Sequence, residues 1–211
     1  MSDCETFSTN FEKACSKTLN LEGVYSNDRN DTGGETAFGI ARNYHPDWAG
    51  WAIIDDMKSM YSSHESFVTA LNMSEQLNVL VKDWYKKEFW NPFQLDNIKD
   101  EKLAFEIFDQ SVNLGRKQTT LFIQRSCNAL NYNYTFGPDL VIDGIIGPST
   151  RSRLQAIGND VRYTDCLRKA LDGLQTSHYI NLGLKTSSST DYRKYMRGWL
   201  INRVGEVDFG A

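Results

Sequence analysis

Long apolar runs are missing from this chain. The most apolar stretch, Trp48 to Ile54, falls far short of the roughly 20 residues that a membrane-spanning helix needs, so no membrane anchor is expected. The start, Met1-Ser2-Asp3-Cys4-Glu5, lacks the succession of basic segment, apolar core and small-residue cleavage site that marks a secretory signal. Synthesis in the cytoplasm without general export is the expectation. Cysteine is sparse: Cys4, Cys15, Cys127 and Cys166 are widely spaced, with no Cys-x-x-Cys pair and no nearby histidine. That argues against a zinc site and for scattered, reduced thiols. Proline is as scarce, with four residues against fifteen glycines. Together with long stretches rich in Leu, Ala, Lys, Glu and Gln, this points to helices rather than strands and turns. The chain has no internal repeat and no recognisable nucleic-acid-binding motif, so nucleic acid is not an expected partner.

What is present suffices for a folded body: 211 residues with 40% hydrophobic content make one large domain, or one domain with a small appendage. The net charge of −4 conceals an asymmetry. Residues 1–150 carry 13 Lys+Arg against 21 Asp+Glu, whereas residues 151–203 carry 10 against 4. The basic C-terminal part reads either as a solvated helical surface or as a surface drawn to an anionic polymer such as a cell wall.

Phe7, Phe11, Ala14 and Leu19 recur at helical spacing, so the first twenty residues predict an amphipathic helix that runs into Leu21-Glu22-Gly23. From Gly23 to Gly39 the chain turns to Ser, Asn, Asp, Thr and Gly, which is loop or short-hairpin chemistry. Apolar residues three and four apart predict helices around 64–72, 74–90 and 100–115, the last stopped by Gly115. A helix over 117–130 follows, then a connection from Asn131 to Gly147. Pro148 or Ser149 opens a further helix, another covers 161–182, and Asp191 is placed to cap the last one after the polar run 184–190. Its stripe Tyr192, Tyr195, Met196, Trp199 and Leu200 reads as core packing.

The segment from Glu22 to Ile40 concentrates carboxylates, a hydroxyl and glycines where a helix gives way to a loop. Glycosidic cleavage needs that inventory: one acid protonates the leaving oxygen, and a second group holds a water or the oxocarbenium-like sugar. Glu22, at the end of an apolar helix, is placed to have its pKa raised by burial, whereas Asp31 in a polar loop stays ionised. Gly33 and Gly34 let the chain fold back and bring Thr36 toward the same cleft. A polar Gly/Asp loop is also often merely a loop. A calcium reading fails, since Asp28, Asn30, Thr32 and Gly33 fit the early positions of an EF-hand but Gly39 stands where a bidentate Glu is required. No metal or organic cofactor is expected.

Read in order, Glu22-Gly23-Val24-Tyr25, Asn27-Asp28, Asp31, Gly33-Gly34, Thr36 and Gly39-Ile40 resemble the signature of glycoside hydrolase family 108, a lysozyme-like muramidase family. Val24 and Arg29 stand where that signature has glycine and proline. The likeness continues through Phe89-Trp90-Asn91-Pro92, the helix Phe108-Asp109-Gln110-Ser111-Val112-Asn113-Leu114-Gly115 and the closing Gly198-Trp199-Leu200-Ile201-Asn202-Arg203. Asp143-Gly144-Ile145-Ile146-Gly147-Pro148-Ser149-Thr150 is similar to an element shared with peptidoglycan-binding modules. On the residues alone this last stretch reads as a turn and a capped helix. The Glu22-x8-Asp31-x4-Thr36 spacing also resembles the Glu/Asp/Thr triad of phage-type lysozymes, one residue short before the threonine.

The resemblance implies a mainly α, lysozyme-like fold with a short polar hairpin after the catalytic helix. Residues 1–95 would form the catalytic region, and 96–211 a peptidoglycan-binding-like helical region packed on it. It implies an N-acetylmuramidase with Glu22, Asp31 and Thr36 as catalytic residues and Tyr25, Asp109 and Asn113 at the substrate. Asp109 and Asn113 share one helix face, and a helix hydrogen bond explains them equally well. A lytic transglycosylase and a non-catalytic wall-binding protein are the alternatives. Bacterial peptidoglycan is the expected partner, reached by a monomeric enzyme, such as a phage endolysin, through a holin pore or a secretion apparatus.

Overall fold

The computed structural model describes residues 7–19, 23–27, 33–185 and 191–205. The chain divides into two compact units, Met1–Glu88 and Phe89–Ala211, and is mainly α-helical.

In the first unit, α1 (Thr9–Leu19) buries Phe11, Ala14, Cys15 and Thr18. Those positions make one stripe at three- and four-residue spacing, so the apolar face needs a partner and finds α4. α2 (Gly50–Met60) buries Gly50, Trp51 and Ile54. α3 (His64–Met73) starts where the Ser63 hydroxyl accepts from the Ser66 amide at 3.2 Å. Ser74 closes α3 and caps α4 (Glu75–Tyr85), accepting from the Leu77 amide at 3.3 Å. Each such cap satisfies an amide that the helix leaves open and is worth about 1 kcal/mol. Between α1 and α2 lies a small antiparallel sheet of β1 (Tyr25–Ser26), β2 (Thr36–Ala37) and β3 (Ile40–Ala41), in that order. A π-helical turn, Lys86–Trp90, continues from α4.

The second unit is built around α5 (Glu101–Leu114), whose residues from Leu103 to Ser111 are all buried. A helix buried on every side must be wrapped by others, and α6 (Arg116–Ala129) and α8 (Thr164–Gly183) pack against it. α7 (Pro148–Gly158) packs on α6 and α8, and α9 (Arg193–Asn202) on α8. Asp100 caps α5 through the Leu103 amide at 2.7 Å. Gly115, at φ 81°, ends α5 and leads straight into α6. Trp90, Phe93, Leu95, Ile98, Leu103, Ile107, Phe108, Ile123, Leu154, Ile157, Leu167 and Leu171 form the core, each contributing about 1.5–3 kcal/mol by leaving water.

Three sequence expectations shift. α2 appears where only a short apolar run was noted. The stripe on α9 is not core: no residue of that helix is buried, and Tyr195 and Leu200 are 44% and 39% exposed. Trp199 stacks instead on Tyr179 and Tyr195, with ring centroids 4.8 and 5.7 Å apart. Asp191 holds the Arg193 amide at 3.1 Å, but the capping position belongs to Tyr192 and carries no side-chain cap. Cys15, Cys127 and Cys166 are free thiols, and burial pushes the first two up to about 12.

Candidate active site

Glu22 and Asp31 lie outside the described residues. Thr36 lies within them, on the middle strand of the sheet. Ser26 stands opposite it on β1 and Ala41 on β3. The Arg42 amide donates to the Glu35 carbonyl at 2.8 Å and the Asn43 amide to the Gly33 carbonyl at 3.2 Å, so the pairing of β2 with β3 extends back through both glycines. Gly34 has φ 67°, and a Cβ there would lie 2.8 Å from Asn43 Nδ2. A side chain there is strained by the backbone conformation, and the Asn43 side chain would have to move aside for it.

Phe38 and Gly39 turn β2 into β3 with φ 50° and 76°. Two successive positive φ values are what a tight hairpin turn of matching twist requires. Phe38 pays for a conformation that suits glycine, and it is held there. Its ring is buried, its amide donates to the Val24 carbonyl at 2.9 Å, and its carbonyl accepts from the Tyr85 hydroxyl at 2.8 Å.

On the residue before Thr36 the structure shows a charge cluster that sequence reasoning passed over. The Glu35 carboxylate, only 10% exposed, is ion-paired with Arg42 (3.0 Å) and Lys58. Asp55 takes both Arg42 terminal nitrogens at 3.1 and 2.8 Å and Lys58 at 3.0 Å. The Arg42 bond holds the Asp55 carboxyl below its ordinary value. The Arg42 guanidinium also lies 4.4 Å from the centre of the Trp51 ring. Trp51, Asp55 and Lys58 follow one another at helical spacing on α2, so one face of that helix clamps the hairpin. The only sequence signal was that spacing, facing compensating charges at 35 and 42.

Tyr25, expected at the substrate, packs edge-on against Phe67 with centroids 5.0 Å apart. Burial, then a hydrogen bond with Glu35, raises its phenol above the usual value. Its hydroxyl thus belongs to the same cluster.

Asp109 and Asn113 do come together in the second unit. Asn113 Nδ2 donates to Asp109 Oδ2 at 2.9 Å, and Arg203 Nη1 donates to Asp109 Oδ1 at 2.7 Å. Asp109 is 4% exposed, so its carboxylate serves the interior of the unit.

The Asp143–Thr150 element is organised by Gln124 of α6. Gln124 Oε1 accepts from the Asp143 and Gly144 amides at 3.1 and 2.9 Å. Its Nε2 donates to Asp143 Oδ1 at 2.8 Å and to Thr150 Oγ1 at 3.3 Å. Asp143 Oδ1 in turn accepts from the Ile145 amide at 2.8 Å.

Among the described residues no group of three or more His, Cys, Asp or Glu could hold a metal ion, and no helix is long and apolar enough to cross a membrane. Residues 15–115 match the family model Glycosyl hydrolase 108, and residues 119–204 match Predicted Peptidoglycan domain. The first match runs past the boundary at Glu88 and includes α5. No curated protein matches the chain at a significant level. Among solved structures, Brucella abortus SagA matches 92% of this chain and 88% of its own with a TM-score of 0.53 at 18% identity, a likeness of fold. Residues 15–115 thus belong to glycoside hydrolase family 108 and residues 119–204 match a predicted peptidoglycan domain, a pairing that supports a peptidoglycan hydrolase.

Proposed function

We propose that this hydrolase is an N-acetylmuramidase, cutting the β-1,4 bond between N-acetylmuramic acid and N-acetylglucosamine. Glu22 delivers a proton to the leaving oxygen, Asp31 activates a water on the opposite face of the sugar, and the Thr36 hydroxyl orients that water. Inversion at the anomeric carbon follows from analogy with phage-type lysozymes. The observation that carries the reading is the fixed hairpin around Thr36, inside the stretch matched by the glycoside hydrolase model. A hydroxyl that only orients must sit on backbone that does not move, and the turn at Phe38, the contact at Gly34 and the Glu35 cluster support that rigidity. Tyr25 belongs to the substrate-contacting set through its ring. Asp109 and Asn113 are assigned to holding α5 against Arg203 rather than to sugar contact. A monomeric phage endolysin, admitted to the wall by a holin pore or a secretion apparatus, is the setting this reading implies.

Mass spectrometry of the soluble products from purified sacculi tests the proposal. The wild type is expected to release fragments with reducing N-acetylmuramic acid ends. Glu22→Gln should release none while keeping its circular dichroism spectrum, Asp31→Asn should be severely impaired, and Thr36→Ala more mildly. Wild-type-like release by Glu22→Gln sinks the assignment of the acid. Products with 1,6-anhydro ends make the enzyme a lytic transglycosylase instead, and no products at all leave a wall-binding protein.

A further inference from the structure

The second unit contains a cavity of about 560 Å3 at the start of α7, within the range that takes a small ligand or a few peptide residues. The element the hydrolase chemistry leaves unused lines it: Asp143, Ile145, Gly147, Pro148, Ser149 and Thr150. Arg153 forms part of the wall and is 7% exposed. Its Nη2 is fixed on the Pro138 carbonyl at 2.8 Å, while its Nη1 is buried without a hydrogen-bond acceptor. A buried guanidinium N–H without an acceptor carries an uncompensated desolvation cost, which a ligand supplying the acceptor would relieve. A carboxylate seated against the guanidinium from the cavity would supply it and could take two parallel N–H donors. The uncapped N-terminus of α7 borders the same space and favours a negative charge there.

Two acids also line the cavity. Asp139 Oδ1 accepts from Asn131 Nδ2 at 2.9 Å, and Asp143 Oδ1 is held by Gln124 and the Ile145 amide. One oxygen of each is thus spent internally, and the cavity still offers both signs of charge. Val141 and Ile145, 75% and 66% exposed, add apolar surface. A neutral sugar uses none of this charge, whereas an amino-acid end carrying carboxylate, ammonium and methylene groups uses all of it. We propose that this cavity binds the peptide stem of peptidoglycan, with Arg153 taking the carboxylate and Asp139 and Asp143 the ammonium of its diamino-acid residue. The proposal rests on the reading of the protein as peptidoglycan-directed, and it separates recognition of the peptide in this unit from hydrolysis of the glycan.

Calorimetric titration of the full-length protein tests it, with four probes: a free stem tetrapeptide containing diaminopimelate, the same peptide with its carboxylates amidated, the same with its amine acetylated, and peptide-free glycan strands. The tetrapeptide is expected to bind and either modified peptide to lose tenfold or more. Arg153→Met should cause a similar loss. Ala156→Glu, which places a negative charge on an exposed cavity-lining position of α7, should do the same without touching the core. Should Arg153→Met fail to fold, Ala156→Glu and the amidated peptide decide. No binding of the tetrapeptide overturns the proposal, as does equal binding of the amidated form or glycan binding that depends on Arg153. Sacculus digestion is scored separately: digestion without tetrapeptide binding sinks this inference alone, and tetrapeptide binding without digestion sinks the muramidase reading alone.

Discussion

Thr36 stands between two residues in left-handed backbone, and they meet that demand in opposite ways. Gly34 has no side chain to strain, and the amide of Asn43 occupies the place a methyl would take. Gly34→Ala is expected to destabilise the first unit by about 1–3 kcal/mol and to lower glycan cleavage with it. Thermal unfolding together with sacculus digestion checks this, and an unchanged melting temperature would show that the loop simply relaxes. The glycine was legible in the sequence, since Gly33-Gly34 marks a fold-back that glycine makes without strain. Phe38 was not, because a phenylalanine in left-handed backbone obeys no local rule and depends on burial of its ring and on a bond from α4. Glu35 escaped for a related reason: a single acid in a polar loop has no meaning until Arg42 and Lys58 are brought beside it.

The hairpin is two-residue strands throughout, too short to hold itself together. Its stability comes from the helices that grip it, α2 through the charge cluster and α4 through Tyr85. Tyr85→Phe removes only a hydroxyl, yet leaves a buried carbonyl without its donor. The expected cost is about 1–3 kcal/mol, read by chemical denaturation, and a neutral result would mean that water replaces the bond. Helices with regular apolar spacing, α3 to α8, could be read to within a few residues. α2 could not, because its second half is Asp55-Asp56-Met57-Lys58, which reads as surface until the hairpin covers one side. The stripe on α9 was clear and its interpretation as core was wrong, because apolar spacing reports a face that wants covering and not whether it is fully covered.

Across the second unit the interior is more polar than the sequence suggests. Glu106, Asp109, Gln110 and Gln175 are buried, and polar letters at those positions interrupt the periodic pattern without interrupting the core. Glu106 accepts from Gln110 at 2.6 Å. The Gln175 amide donates to the Arg203 carbonyl at 2.9 Å and to Glu106 at 3.3 Å, and accepts from Tyr179 at 3.1 Å. Burial, followed by the charge of Asp172, raises the Glu106 carboxyl well above its ordinary value of 4.5. The folded state therefore keeps a proton that the unfolded chain releases. Stability from this group is complete below pH 4.5 and declines as pH rises toward the raised folded value. Glu106→Gln, a neutral mimic of the protonated acid, is expected to flatten that decline and raise the melting temperature by several degrees at pH 8. Scans from pH 4.5 to 8 check it, and a variant that melts lower at every pH would show that the carboxylate is needed in its charged form. The irregular stretch before α7 has a consequence of a different kind. Gln124 on α6, Asn128 on α6 and Asn131 just beyond it take the Asp143 and Gly144, Leu140 and Phe136 amides in turn, so side-chain amides replace the backbone of a neighbouring strand. Amide hydrogens of a loop normally exchange with solvent within its own small fluctuations. The first three, at Asp143, Gly144 and Leu140, are tethered to α6, so they should exchange only when that helix opens, in step with its interior.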